Sequence, residues 1–172
     1  TGRMIPEKGF ELIIRALALL KRKEQYRLIL SGGGLDKERL QTLASELGLH
    51  SEVSFPGWVP KVKLYEFLTE AHIFIFPKWW IEYGSALLPE VLAFGLPSLV
   101  PGGGALEWLA GGSALTFSND SVDELANRLS ELMRNKELRV RLGIQGLARA
   151  RELDYQKLAV RLEQVLLSSL SH

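Results

Sequence analysis

The chain contains no cysteine among its 172 residues. Disulfide bonds, thiolate metal sites and a cysteine nucleophile are therefore excluded. Excess charge is also nearly absent, because 21 Lys and Arg residues against 20 Asp and Glu residues give a formal net charge of +1. A chain with neither a basic excess nor a basic stripe gives no electrostatic reason to expect a nucleic-acid partner.

Long hydrophobic runs are missing as well. The apolar run over residues 73–76 has the length of a β-strand, and every apolar run falls far short of the roughly 20 residues that cross a bilayer. Hydrophobic residues make up 47% of the chain and charged residues 24%, which is typical of a globular domain. Because the first residue is Thr1 and no signal peptide is visible, we expect a fragment of a longer protein, forming one domain over residues 1–172.

Short apolar segments alternate with amphipathic segments over most of the chain. This alternation predicts an α/β fold with a Rossmann-like, doubly wound parallel sheet, covered by helices on both faces and followed by C-terminal helices. Ligands of such sheets bind at the carboxyl ends of the strands. The predicted strands cover residues 26–31, 53–55, 73–76, 98–100 and 114–117. The predicted helices cover residues 9–22, 35–47, 60–71, 85–94, 105–109, 121–134, 136–152 and 155–170.

The loop that leads into the first helix carries two cations, Arg3 and Lys8. The N-terminus of a helix already has exposed amide groups and a partial positive charge. Two cations at such an end predict a binding site for a diphosphate, which arginine binds with two hydrogen bonds. The alternative is a surface loop with solvated charges, and the spacing alone favours this alternative.

Two further loops are rich in glycine, Gly32 to Gly34 after the first strand and Gly102 to Gly104 after the fourth. Glycine allows a ligand to approach the backbone closely. The first loop lacks the Lys-Ser or Lys-Thr pair of a phosphate-binding P-loop. The alternatives are a tight turn for the first loop and a flexible surface loop for the second.

The segment before the fourth predicted helix combines carboxylates with a helix start. The free amides of Gly84, Ser85 and Ala86 point toward a phosphate bound at that start. Glu90 lies within the helix, where its carboxylate has the chemistry to accept two hydrogen bonds from a ribose diol. The alternative is that Glu82 and Glu90 are ordinary helix-start glutamates, stabilised by the helix dipole.

The order of these loops resembles the C-terminal domain of glycosyltransferase family 4, a retaining group with the two-Rossmann-domain (GT-B) fold. The resemblance covers nearly the whole chain. Its motifs are Gly2-Arg3-x-x-x-Glu7-Lys8-Gly9, then Glu82 and Glu90 separated by seven residues and followed by Val91-Leu92-Ala93-x-Gly95-x-Pro97, and finally Gly103-Gly104-x-x-Glu107.

The resemblance implies a role for each candidate site residue. Arg3 and Lys8 would bind the donor diphosphate, Glu82 would contact the donor sugar or its phosphate, and these three would form the catalytic group. Glu90 would hold the ribose hydroxyls, and the backbone near Trp58 and Val59 would face the base. The implied donor-binding residues are Gly2, Gly32, Gly34, Trp58, Val59, Gly84, Ser85, Ala86, Leu87, Glu90, Gly103 and Gly104.

The resemblance also implies an activity. The chain would be the nucleotide-sugar-binding half of an enzyme that transfers a sugar to a glycan, lipid or other acceptor with retained anomeric configuration, without a metal or cofactor. The implied partners are the nucleotide sugar and the missing N-terminal acceptor domain, through which membrane contact would arise. The implied location is the cytoplasm or the cytoplasmic face of a membrane.

Two other functions are compatible with the fold class. One is a non-catalytic nucleotide-binding module, which the joint presence of Arg3, Lys8 and Glu90 disfavours. The other is a signalling domain of flavodoxin-like shape, which would need an acidic cluster at the strand ends where this chain has cations. The enzyme half is therefore the favoured hypothesis, and we expect the isolated domain to be inactive.

Overall fold

The structure is a computed structural model, and it describes residues 1–20, 26–77 and 85–170. A short 3-10 helix covers Pro6–Lys8. The strands are β1 Leu28–Ser31, β2 Val53–Gly57, β3 Phe74–Ile75, β4 Ser98–Pro101 and β5 Ala114–Phe117. The helices are α1 Phe10–Leu19, α2 Lys37–Glu46, α3 Lys61–Glu70, α4 Leu87–Ala93, α5 Ala105–Ala110, α6 Val122–Arg134, α7 Lys136–Glu152 and α8 Tyr155–Leu170.

The described strands form two parallel sheets. β1 pairs with β2 in one sheet, and β4 lies between β3 and β5 in the other. Strands alternate with helices along the chain up to β5, so the predicted parallel α/β fold class is confirmed. The expected single sheet is divided, because the partners found for β1 and β3 among the described residues lie on one side of each strand only.

Helices cover the second sheet on both faces, which gives two hydrophobic cores. Leu99 and Val100 are neighbours in β4 and are both fully buried, and side chains of successive strand residues point to opposite faces. Leu99 belongs to a core with residues of α1, α2 and α6. Val100 belongs to a second core with residues of α4 and α5. Strands covered in this way are apolar at most positions, which explains the nearly continuous apolar runs in the sequence.

Local signals fix the ends of several helices. Ser121 caps the start of α6, since its hydroxyl accepts a hydrogen bond from the Glu124 amide at 3.2 Å, while the Glu124 carboxylate accepts from the Ser118 amide at 2.8 Å. The Asn135 side chain caps α7 in the same way, at 2.8 Å from the Leu138 amide. The predicted helix over residues 85–94 is shorter in the structure, where α4 begins at Leu87 and ends at Ala93.

The two last helices differ in how they contact the rest of the domain. Helix α7 packs closely on α4, because a Cβ atom at Gly143 would lie only 2.5 Å from the Gly95 carbonyl oxygen. Helix α8 has exposed side chains at every position from Tyr155 to Ser168. In the described part of the chain, no helix combines the length and the apolar character needed to cross a membrane.

Candidate functional site

The N-terminal loop brings Arg3 and Lys8 to the start of α1. Lys8 ends the 3-10 helix, and Gly9 follows with φ of 65° as the N-cap of α1. This left-handed conformation suits glycine, which has no Cβ atom to clash. Burial, together with the nearby positive charge of Arg3, lowers the pKa of Lys8 below its ordinary value of 10.5. The Arg3 charge therefore acts on Lys8, which places the two cations near each other in this loop.

The first glycine loop is shaped by the chain itself. A Cβ atom at Gly32 would lie 1.8 Å from the Gly2 carbonyl oxygen, and one at Gly34 would lie 2.2 Å from the Met4 carbonyl oxygen. The Gly2 amide donates to the Ser31 carbonyl at 3.0 Å, and the Met4 amide donates to the Gly33 carbonyl at 2.9 Å. Glycine is therefore required here by backbone packing against residues 2–4, a reason that involves no ligand.

The same loop lies against an exposed tryptophan. Trp58 follows the end of β2 and is 67% exposed. Its indole nitrogen would be 2.9 Å from a Cβ atom at Gly33, so the ring covers that glycine closely. The next residue, Val59, is half-buried. An exposed aromatic face beside a strand end is suited to stacking on a planar group.

Glu90 lies in the first turn of α4 and is held by two side chains of α3. The Lys61 ammonium group donates to Oε1 at 3.3 Å, and the Tyr65 hydroxyl donates to Oε2 at 3.2 Å. The tyrosine ring also packs against Phe94, with 5.2 Å between ring centroids. Hydrogen bonds to Tyr65 and Glu90 raise the pKa of Lys61 above its ordinary value. The Glu90 side chain remains 36% exposed.

Lys61 and Tyr65 were not among the predicted site residues. They are spaced four residues apart, which places them on one face of α3. Because they are far from Glu90 in the sequence, their contact with Glu90 could not be predicted. The available signal was Pro60, which marks the start of a helix following the β2 loop. Together the two side chains fix the orientation of the Glu90 carboxylate.

The second glycine loop is closed by an internal hydrogen bond. The Gly103 amide donates to the Glu107 carboxylate at 2.6 Å. Gly103 has φ of 77°, in the left-handed region. Gly104 precedes α5 in an extended conformation, and a Cβ atom there would meet no atom within 4 Å. Glu107 therefore stabilises the loop after β4.

The remaining predicted residues lie around the start of α4. Ser85 and Ala86 precede the helix and Leu87 is its first residue, with Ala86 exposed and the other two half-buried. Glu82 and Gly84 lie outside the described residues. Over residues 1–20, 26–77 and 85–170, no three His, Asp or Glu side chains come together as metal ligands.

Most of the described candidate residues thus form two groups, while Gly103 and Gly104 belong to a separate loop after β4. The first surrounds the end of β1 and contains Gly2, Arg3, Lys8 and the glycine loop, with Trp58 beside it. The second surrounds the first turn of α4 and contains Glu90 with Lys61 and Tyr65. The first group offers positive charge and backbone amides, and the second offers an oriented carboxylate. This chemistry suits an anionic ligand that also carries hydroxyl groups.

Comparison with known proteins gives a consistent picture. The family model described as glycosyl transferases group 1 matches residues 1–149. The chain is 30% identical over 155 residues to the GDP-mannose-dependent alpha-(1-6)-phosphatidylinositol monomannoside mannosyltransferase of Mycolicibacterium smegmatis, which covers 84% of this chain and 40% of that protein. The chain spans less than half the length of the curated relatives that it matches first.

Solved structures show the same fold. The Anabaena protein HepE in complex with UDP superimposes with a TM-score of 0.81 at 21% identity, over 99% of this chain and 48% of that chain. The C-terminal domain of a glycosyl transferase group 1 family protein, LpcC of Francisella tularensis, superimposes with a TM-score of 0.79 at 19% identity, over 90% of this chain and 83% of that one. The parallel α/β arrangement is therefore that of GT-B glycosyltransferases.

Proposed function

The chain belongs to the glycosyl transferases group 1 family, and from this premise we propose that it is the donor-binding half of a retaining glycosyltransferase. It binds a nucleoside diphosphate sugar, and the whole protein transfers that sugar to a glycan, lipid or other acceptor. The acceptor is bound by an N-terminal domain outside residues 1–172. The proposal is supported by the coverage of less than half of the curated relatives.

The observation that carries this proposal is the pairing of Arg3 with Lys8 at the start of α1. Burial, together with the positive charge of Arg3, lowers the pKa of Lys8, and a bound anion favours the charged form of both side chains. A diphosphate at this position meets both cations and the positive end of α1. The amides near Ser85, Ala86 and Leu87 are proposed to contact the same phosphates.

The oriented carboxylate of Glu90 is proposed to bind the ribose. Each carboxylate oxygen accepts about two hydrogen bonds, and Lys61 and Tyr65 supply one donor to each. One acceptor position on each oxygen then remains for the two hydroxyls of a ribose diol. Trp58 and Val59 lie beside the first group, where we place the base.

The proposed reaction needs charge stabilisation more than proton transfer from this domain. As the bond to the sugar breaks, negative charge grows on the departing diphosphate. Arg3, Lys8 and the start of α1 stabilise that charge, as preorganised cations and dipoles do in other enzymes. We assign no metal to this step. Glu82 is proposed to contact the donor sugar or its phosphate, and the backbone of Gly103 and Gly104 to lie near the sugar.

The proposed location is the cytoplasm or the cytoplasmic face of a membrane. A nucleoside diphosphate sugar carries charges that oppose its passage through a bilayer, so donor and enzyme must share one compartment. Any membrane contact is assigned to the N-terminal half.

Isothermal titration calorimetry with UDP, GDP and ADP tests the proposal and identifies the base. We expect one of the three to bind the chain at one site. Lys8→Ala removes a charge-assisted contact and should weaken that binding by about tenfold or more. Glu90→Ala should weaken it as well, because both ribose hydroxyls lose their acceptor.

Matched controls are available on exposed helix surfaces. Lys136 lies at the start of α7 and Glu66 lies on α3, and both are exposed. Lys136→Ala and Glu66→Ala should leave nucleotide affinity unchanged. If none of the three nucleotides binds, or if the controls weaken binding as much as the site variants, the proposed function is wrong. Sugar transfer by the isolated chain would refute the assignment of the acceptor site to another domain.

A further inference from the structure

Helix α7 carries apolar residues on two of its faces. The face that packs on the domain buries Leu138, Leu142, Gly143 and Gly146. The outer face exposes three large apolar side chains, Val140 by 53%, Ile144 by 64% and Leu147 by 40%. Spacings of four and three residues place these three on one side of the helix. We call this row of exposed side chains the α7 stripe.

Charged residues of opposite sign lie at the two ends of the α7 stripe. Glu137 is exposed near the start of α7, and Arg151 is exposed near its end. They are 14 residues apart, which is close to four turns of about 3.6 residues each. Both therefore lie on the same side of the helix as the α7 stripe.

The charges are arranged symmetrically about Ile144. This residue is the middle of α7, with eight helical residues on either side. Glu137 lies seven residues before it and Arg151 seven residues after it, and the helix begins with Lys136 and ends with Glu152. Both pairs of matching positions carry opposite charges. The outer face of α7 is therefore complementary to itself when a second α7 runs antiparallel to the first.

A two-fold axis produces this arrangement. Most dimers are built on such an axis, which uses the same surface patch of both copies. An axis through Ile144 and perpendicular to α7 brings the two Ile144 side chains together, and each Glu137 faces Arg151 of the second copy. Antiparallel pairing also places the positive end of each helix dipole beside the negative end of the other.

The outer face of α7 also has a groove that suits this pairing. The groove has a volume of about 450 Å³ and is lined by Lys136, Glu137, Val140, Arg141, Ile144 and Gln145. Leu147 lies as far after Ile144 as Arg141 lies before it. In the antiparallel pair, Leu147 of the second copy therefore lies opposite Arg141 and enters the groove beside Val140. The same contact is made twice, once on each side of the axis.

We propose that the α7 stripe is a dimerisation surface, on which a second copy of this chain packs antiparallel across a two-fold axis through Ile144. Burial of the apolar side chains supplies the affinity. The two Glu137–Arg151 ion pairs fix the register, because exposed ion pairs contribute more to specificity than to affinity. One pair of helices buries less area than a permanent interface, so the dimer forms reversibly and depends on concentration.

An anionic membrane is the competing partner of an exposed apolar stripe. Helices that lie on membranes carry mainly Lys and Arg on their polar face, whereas Glu137 lies beside the α7 stripe and Glu152 at its end. Arg149 already holds Glu152 at 2.8 Å. A membrane also gives no reason for opposite charges at matching distances from Ile144. The charge pattern therefore favours a second copy.

A cysteine at the proposed axis gives the most direct test, because the chain contains no cysteine of its own. A residue on a two-fold axis meets the same residue of the second copy. Under mild oxidation, the Ile144→Cys variant should form disulfide-linked dimers about tenfold faster or more than the Thr42→Cys control, because association raises the local thiol concentration. Thr42 is exposed on α2, away from the proposed interface.

Exchange of the two charges tests the register. Sedimentation equilibrium over a concentration series measures the dimer dissociation constant of the full chain. Glu137→Arg puts like charges opposite each other at both ends and should weaken the dimer by about tenfold or more. The double variant Glu137→Arg/Arg151→Glu restores opposite charges and should recover most of the affinity. Glu38→Arg, an equal change of charge at an exposed position of α2, should have no effect.

Four results would overturn the proposal. The first is a wild-type chain that stays monomeric over the whole concentration series. The second is an Ile144→Cys variant that is linked no faster than the Thr42→Cys control. The third is a double charge variant that dimerises no better than Glu137→Arg alone. The fourth is a dimer that the α7 variants leave intact and that Leu162→Asp abolishes, because the interface would then lie on α8, where Leu162 is 60% exposed. None of these measurements involves a nucleotide, so they stand apart from the proposed function.

Discussion

Lys8 is the residue on whose charge the proposed diphosphate site depends most directly. Its pKa is lowered by burial and by Arg3, and a bound diphosphate requires the ammonium form. Affinity is therefore full below the pKa of Lys8 and is lost as the pH rises through it. We expect nucleoside diphosphate affinity to begin its decline below pH 10.5, the ordinary pKa of lysine, because the pKa of Lys8 is lowered. Calorimetric titration over a pH series that extends to this value measures the decline.

Arginine at the same position is the matched control. Arg stays protonated throughout this range, so Lys8→Arg should bind the nucleotide with a flatter pH profile. A wild-type profile that is flat to pH 10, or one that Lys8→Arg leaves unchanged, would show that another group controls the pH dependence.

Tyr65 is predicted to act on the ribose through Glu90. Tyr65→Phe keeps the ring contact with Phe94 and removes only the hydroxyl that donates to Oε2 at 3.2 Å. The carboxylate then loses one of its two orienting hydrogen bonds. We expect affinity for the bound nucleoside diphosphate to fall about two- to tenfold, the usual worth of one hydrogen bond, with a smaller fall for its 2′-deoxy analogue. Competition titration of both ligands measures the ratio.

A loss of equal size for both ligands would indicate a general effect on folding, and the diol argument would fail. Thr69→Ala on the same helix is a suitable control, because its hydroxyl bonds only to the Tyr65 carbonyl among the described residues. It should leave the ratio between the two ligands unchanged.

The sequence predicted the charge-bearing residues of the site better than their partners. The sequence places Arg3, Lys8 and Glu90 in loops or at helix starts. At such positions the type of residue already suggests a binding function. Lys61 and Tyr65 are ordinary residues on an amphipathic helix, and no local pattern connects them to Glu90. Their roles depend on how α3 packs beside α4, which spacing within one helix does not encode.

At the scale of elements, the loop after β1 depends on glycine for packing. Gly32→Ala places a Cβ atom 1.8 Å from the Gly2 carbonyl oxygen at a φ of 127°. The backbone conformation alone costs about 1–3 kcal/mol, and the overlap adds to it. We expect a clear loss in the free energy of unfolding, measured by urea denaturation. Gly104→Ala, where a Cβ atom meets nothing within 4 Å, should be nearly neutral, and equal losses would contradict the packing argument.

The alternation of strands and helices was predictable because the spacing of hydrophobic residues and the length of apolar runs are local properties of the sequence. The reason for the glycines at 32 and 34 was not, because glycine suits a close ligand and a close backbone equally well. The division into two sheets could not be predicted from these local signals either, because it depends on which strand edges meet in space. Two strands begin later in the structure than the sequence predicted, β1 at Leu28 and β3 at Phe74.

At the scale of the whole molecule, stability is shared by the two cores, and α8 contributes to neither. The described core members and their partners end at Ala150 in α7. Helix α7 is tied to α5 by Arg149, whose guanidinium donates to the Leu109 carbonyl at 2.8 Å. Every described side chain of α8 from Tyr155 to Ser168 is exposed. We therefore expect the cooperative unit of folding to include α7 and to exclude α8.

Two truncations test this division. Among the described side chains, a chain that ends at Leu153 loses only exposed ones, so its free energy of unfolding should change by less than about 1 kcal/mol, although far-UV circular dichroism will record the lost helix. A chain that ends at Arg141 also loses Leu142 from the first core and the contact of Gly143 with α4. It should unfold at far lower urea concentration or fail to fold. If the first truncation destabilised the chain as much as the second, α8 would have to pack on the domain in solution.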